Sequence, residues 1–90
     1  IDNQTGWESS AMYVWGDAEL FGVWPGAAAS STQEIDGVTY QVWEIGKDGA
    51  TYHPILNDNG GGAQVDCPDA LTATQDYYYK VTASGWELIK

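Results

Sequence analysis

The chain predicts an all-β fold, and three observations lead there. No window holds apolar residues at the i, i+3, i+4 period through three turns of helix. Glycine, aspartate, asparagine and proline interrupt the sequence every ten residues or so, leaving segments of strand length between them. Within those segments apolar and polar residues alternate, and they are rich in Val, Tyr, Trp and Thr, which suit a pleated, half-buried surface.

In chain order the candidate strands are Ala11 to Trp15, Val38 to Ile45, Thr51 to Leu56, Tyr77 to Thr82 and Gly85 to Ile89. Pro54 lacks an N–H and so predicts an edge position or a bulge for the third of these. Asp36-Gly37, Asp48-Gly49 and Ser84-Gly85 are dipeptides that supply the positive φ angles of tight turns. Short strands with such connections imply a small antiparallel β-sandwich, immunoglobulin-like. In a strand, Tyr77, Tyr79 and Val81 face one way and Tyr78, Lys80 and Thr82 the other, the pattern of a strand with one wet face. Trp7, Trp43 and Trp86 are expected in the core.

Ninety residues make a single domain, 1–90, able to bury one modest core without a metal or disulfide staple. The chain starts at Ile1 in a polar stretch, and it reads as a piece excised from a larger protein. Thirteen acidic residues against three basic ones leave a formal charge of −10. That field repels phosphate backbones and anionic headgroups, so neither nucleic acid nor a membrane surface is an expected partner. A single Cys67 excludes an internal disulfide. No apolar run approaches the roughly 18 residues of a membrane span, so membrane insertion by this domain is not expected.

The chemistry-bearing residues are aromatic and amide. On a strand Met12 and Val14 share one face while Tyr13 and Trp15 share the other, about 6.6 to 7 Å apart. Strand twist rotates one ring plane against the next, which favours a bent or helical glycan such as an α-glucan over a flat one. Pro25 and Gly26 make a compact corner that holds Phe21 and Trp24 in defined positions. The stretch from Asn57 to Asp66 adds glycines for close backbone approach, with Asn57, Asp58 and Gln64 to bond vicinal hydroxyls. Flat apolar rings beside fixed donors and acceptors suit a neutral polyhydroxylated ligand. The competing reading is a structural spacer domain of a surface protein, with every ring buried and no ligand of its own.

Other chemistries are weaker in the sequence. Asp58, Asn59 and Asp66 offer oxygens to calcium but lack EF-hand spacing, so neither a metal nor another cofactor is expected. Asp58, Asp66 and Glu44 could pair for glycoside hydrolysis, yet nothing singles out two of them. His53 has no second His or Cys for a metal, and no serine sits in a nucleophile elbow. Catalytic residues are therefore not expected, and the domain is read as no enzyme.

Taken in order, Tyr13-Val-Trp-Gly-Asp17, Gly22-Val-Trp-Pro-Gly26 and Asn57-Asp-Asn-Gly-Gly-Gly-Ala-Gln64 resemble the starch-binding modules of carbohydrate-binding family 26. The chain is also similar to the surface starch-binding domains of gut Bacteroidetes, over roughly residues 11 to 83. The resemblance implies a β-sandwich that binds starch and maltooligosaccharides without catalysis, as a monomeric domain of a multidomain bacterial protein, extracellular or at the cell surface. It places the stacking aromatics on Tyr13 and Trp15, with Phe21 or Trp24 as a third contact, and a loop glutamine on Gln64. Two departures stand out: Ile55-Leu56 where the family has Ile-Phe, and Gln64-Val65 where it has Gln-Thr, which removes a hydroxyl near the expected sugar.

Overall fold

Five candidate strands and several turn dipeptides become nine strands in the computed structural model, which describes residues 1–90. They are β1 (Asp2–Asn3), β2 (Ala11–Gly16), β3 (Ser31–Ile35), β4 (Val38–Val42), β5 (Thr51–Asn57), β6 (Gln64–Asp66), β7 (Leu71–Thr72), β8 (Tyr79–Thr82) and β9 (Gly85–Leu88). There is no helix, and the fold is all-β as the sequence predicts. One sheet has the order β2-β5-β6, with β7 also on β5; a second has the order β1-β8-β9; β3 and β4 form a separate hairpin. Every pairing is antiparallel except β1 with β8.

The core forms where the inner faces of the first two sheets meet. Met12 and Val14 from β2, Tyr52 and Leu56 from β5, and Tyr79 and Val81 from β8 are buried in one cluster. Alternation accounts for each choice, because Tyr13 and Trp15, His53 and Ile55, and Lys80 then point the other way. Trp7, Trp43 and Trp86 pack against this cluster from its margin, as expected. Trp86 also donates its indole N–H to the Val65 carbonyl at 2.8 Å, tying β9 to β6 across the sandwich.

Pro54 does not put β5 at an edge. The strand is central, flanked by β2 on one side and by β6 and β7 on the other. In an antiparallel ladder the N–H and C=O of one residue point to the same side. The Pro54 carbonyl accepts from Cys67 N, on the side where β6 ends at Asp66 and β7 begins only at Leu71. The missing N–H therefore faces the gap between those two short strands, where no ladder partner waits for it.

The turns divide similarly. Asp36 and Gly37, both at positive φ, join β3 to β4 as the dipeptide predicts. At the β8–β9 hairpin the turn falls on Ala83-Ser84, one residue earlier than expected, and Gly85 already pairs with Thr82. Asp48-Gly49 leads into β5 but closes no hairpin, since β4 and β5 do not pair. Gly26, at φ 89°, lies so close to Met12 that a Cβ would collide with the Met12 carbonyl. That contact brings Ala27 onto β2, where Met12 and Ala27 exchange backbone hydrogen bonds of 2.8 and 3.1 Å.

Candidate functional site

The outer face of the β2-β5-β6 sheet carries most of the residues singled out from the sequence. Cross-strand register fixes its rows: Trp15 beside His53, Tyr13 beside Ile55 and Asp66, and Ala11 beside Asn57 and Gln64. Tyr13 and Trp15 share this face, as the period of two requires. Trp15 is 48% exposed and Trp24 42%, so two indoles stand in solvent. Val23, next to Trp24, is exposed as well.

The rings support one another. Trp15 stacks on His53 with centroids 4.1 Å apart and planes 18° from parallel. Because β2 ends the sheet, the indole face turned away from His53 looks outward over the edge. Trp24 meets Tyr13 edge to face at 5.5 Å, a geometry the ring quadrupoles favour. Tyr13 is half-buried by this contact, and its hydroxyl donates to Glu19 at 2.6 Å. The Glu19 carboxylate holds the Tyr13 phenol above its ordinary pKa, so the phenol remains a donor. Neither Trp15 nor Trp24 has its indole N–H tied down as Trp43 has, which donates to the Ala27 carbonyl at 2.9 Å.

The polar loop is built differently from the expectation. Asn57 is wholly buried, at 0% exposure, and is corrected from ligand contact to internal clamp. Its Nδ2 donates to the Pro25 carbonyl at 3.0 Å, and its Oδ1 accepts from Gly60 N at 3.1 Å. One side chain thus fastens the proline corner to the glycine loop, and the corner roofs the end of the face where Ala11 and Asn57 lie. Asp58 is half-buried, with its carboxylate tucked against Gly61 and Oδ1 sealed from solvent without a partner. Gln64 is exposed on the outer face and donates to Asp66 at 3.0 Å, making an amide–carboxylate pair that faces solvent.

Phe21 is likewise corrected. It packs against the core cluster and lines a cavity together with Met12 and Val14, on the opposite side of the sheet from Trp15. After β2 the chain wraps the sheet edge, turning Leu20 and Phe21 inward and Trp24 outward. Neither that cavity nor a second one between β1 and β4 is lined by Tyr13, Trp15 or Trp24.

Three members of the face were missed in the sequence. His53 was set aside there for want of a second metal ligand, whereas it forms half of the stack with exposed Trp15. Ile55 and Glu19 complete the surroundings of Tyr13. Alternation from buried Tyr52, Pro54 and Leu56 would have put His53 and Ile55 on the outer face; Glu19 left no signal, because its position depends on how the loop after β2 turns. No cluster of three His, Cys, Asp or Glu side chains is arranged to hold a metal ion. Burial pushes the Cys67 thiol above its ordinary pKa, which works against thiolate chemistry. No family model, no curated protein and no solved structure matches this chain.

Proposed function

We propose that the outer face of the β2-β5-β6 sheet is a non-catalytic binding surface for α-glucans, starch and maltooligosaccharides among them. The observation that carries this reading is the exposure of Trp15 and Trp24 on either side of Tyr13, on a face where an isolated core would have no use for them. Each indole can cover the C–H face of a pyranose, gaining about 25 cal/mol per Å² of apolar area before the cost of ordering the sugar. Gln64, Asp66 and Glu19 supply donors and acceptors at the margin, a neutral bond to the Gln64 amide netting about 0.5 to 1.5 kcal/mol and one to either carboxylate about 1.5 to 3 kcal/mol. Together these terms suit a dissociation constant of roughly 10 µM to 1 mM. Linkage to sister modules would raise avidity along a polymer.

The acids do not pair for hydrolysis in this reading. Asp66 lies on the outer face, Glu44 lines the inner cavity and Asp58 is tucked against the glycine loop. An extracellular or cell-surface setting belongs to the same proposal, because that is where such a polymer is met.

Native affinity electrophoresis tests the ligand class. Retardation in gels containing soluble starch, with free migration in β-glucan and mannan gels, is the expected outcome. Equal mobility in all three would remove the glucan reading.

A further inference from the structure

A cavity of about 510 Å³ lies on the other side of the sheet from the exposed indoles, between the inner faces of β2 and β5 and the segment that follows β4. We propose that it is a second binding site, for an organic ammonium ion with an apolar body. Its volume falls within the roughly 300 to 1,000 Å³ of small-molecule pockets.

The walls favour a ligand with an apolar body. Aromatic rings make up much of them, and the polar atoms of five of those rings are engaged elsewhere, while the Tyr40 and Tyr78 hydroxyls and the Gln33 and Gln75 amides have no internal partner. Tyr52 donates to Asp48 at 2.9 Å, Tyr77 to the Thr72 carbonyl at 3.0 Å and Tyr79 to Asp69 at 2.9 Å. Trp43 and Trp86 donate to the Ala27 and Val65 carbonyls. What these side chains offer the cavity is ring surface, which binds apolar groups and cations but cannot satisfy hydroxyls.

Charge then selects among apolar ligands. At the rim Lys47 is paired with Asp76 at 3.3 Å, which cancels both, and leaves the Glu44 carboxylate without an ion-pair partner. The protein as a whole carries −10, so its long-range field draws cations to that mouth. One wall ring already accepts a cation: the Lys90 ammonium sits 4.9 Å from the centre of Tyr78, and Tyr78 meets Tyr40 edge to face at 5.6 Å. A quaternary ammonium group held by ring faces, with its apolar body toward Met12 and Val14, meets each of these conditions.

The test compares benzyltrimethylammonium with its neutral carbon isostere neopentylbenzene on the whole domain at about 0.15 M salt, where long-range attraction is screened. Affinity is read by tryptophan fluorescence and position by NOEs from the N-methyl protons. Saturable binding of the ammonium at least about tenfold tighter than the isostere is expected, with NOEs to Trp43 and Tyr78. Glu44→Gln is expected to reduce that preference about threefold while the NOEs persist. Equal or tighter binding of the isostere overturns the cation assignment, and an unchanged preference in Glu44→Gln overturns the role of that carboxylate. Absence of saturable binding by the ammonium, or NOEs confined to Trp15 and Trp24, overturns the site. Starch retention is read separately, so loss of one site leaves the other standing.

Discussion

Trp15→Ala is expected to lower affinity for maltoheptaose at least about tenfold, the loss of roughly 1.4 kcal/mol or more of ring contact. The thermal midpoint is expected to fall by no more than about 8 °C, because the fold gives up only the stack on His53, about 0.5 to 1.5 kcal/mol beyond its area. Trp15 is the cleanest position for this measurement, being half-exposed and without an internal hydrogen bond. Tyr13 is less suitable, since it also supports Trp24 and Glu19 and its removal disturbs three side chains together. Isothermal titration beside a thermal melt separates the two effects. Unchanged affinity in Trp15→Ala would show that the exposed indole is not a sugar platform.

Asn57→Ala is expected to do the reverse, with stability as the main loss. Removing the amide empties a wholly buried position and leaves the half-buried Pro25 carbonyl and the Gly60 N–H without their partner, at about 0.5 to 1.5 kcal/mol for each lost bond. A fall in the thermal midpoint of more than about 10 °C follows for a domain of this size. Glucan affinity is expected to weaken as well, through the loosened corner that carries Trp24. Asn57→Asp keeps the acceptor for Gly60 but turns an oxygen toward the Pro25 carbonyl, so it is expected to destabilise nearly as much. A variant that melted like the wild type while losing glucan would return Asn57 to the role of direct sugar contact.

These two residues show what the sequence made legible. Alternation in Ala11 to Trp15 determines which rings leave the core, and it places Tyr13 and Trp15 correctly without any tertiary information. Composition cannot say the same of Asn57, because an asparagine before three glycines is equally suited to a sugar or to its own loop. Its burial depends on the proline corner, thirty-two residues earlier, folding over the outer face. Phe21 and Trp24 differ for the same reason: three residues apart on one corner, they fall on opposite sides of the sheet according to how the chain wraps its edge. Pro54 misled because an N–H vacancy was read as an edge or a bulge, when two short strands on one side leave a gap that serves as well. β3 was missed because every residue from Ser31 to Glu34 is exposed, so no apolar alternation marks it. The Asp36-Gly37 turn was its only sign.

The outer face and the cavity are separated by one sheet, and four of the five tryptophans report on them. Trp15 and Trp24 stand on the outer face, while Trp43 and Trp86 wall the inner cavity with their indole N–H groups bonded to backbone carbonyls. Indole N–H resonances followed by NMR during titration with maltoheptaose therefore test the central claim most directly. Progressive shifts of the Trp15 and Trp24 signals, with Trp43 and Trp86 unmoved, are the expected result; shifts confined to Trp43 and Trp86, or none at all at millimolar sugar, would contradict it.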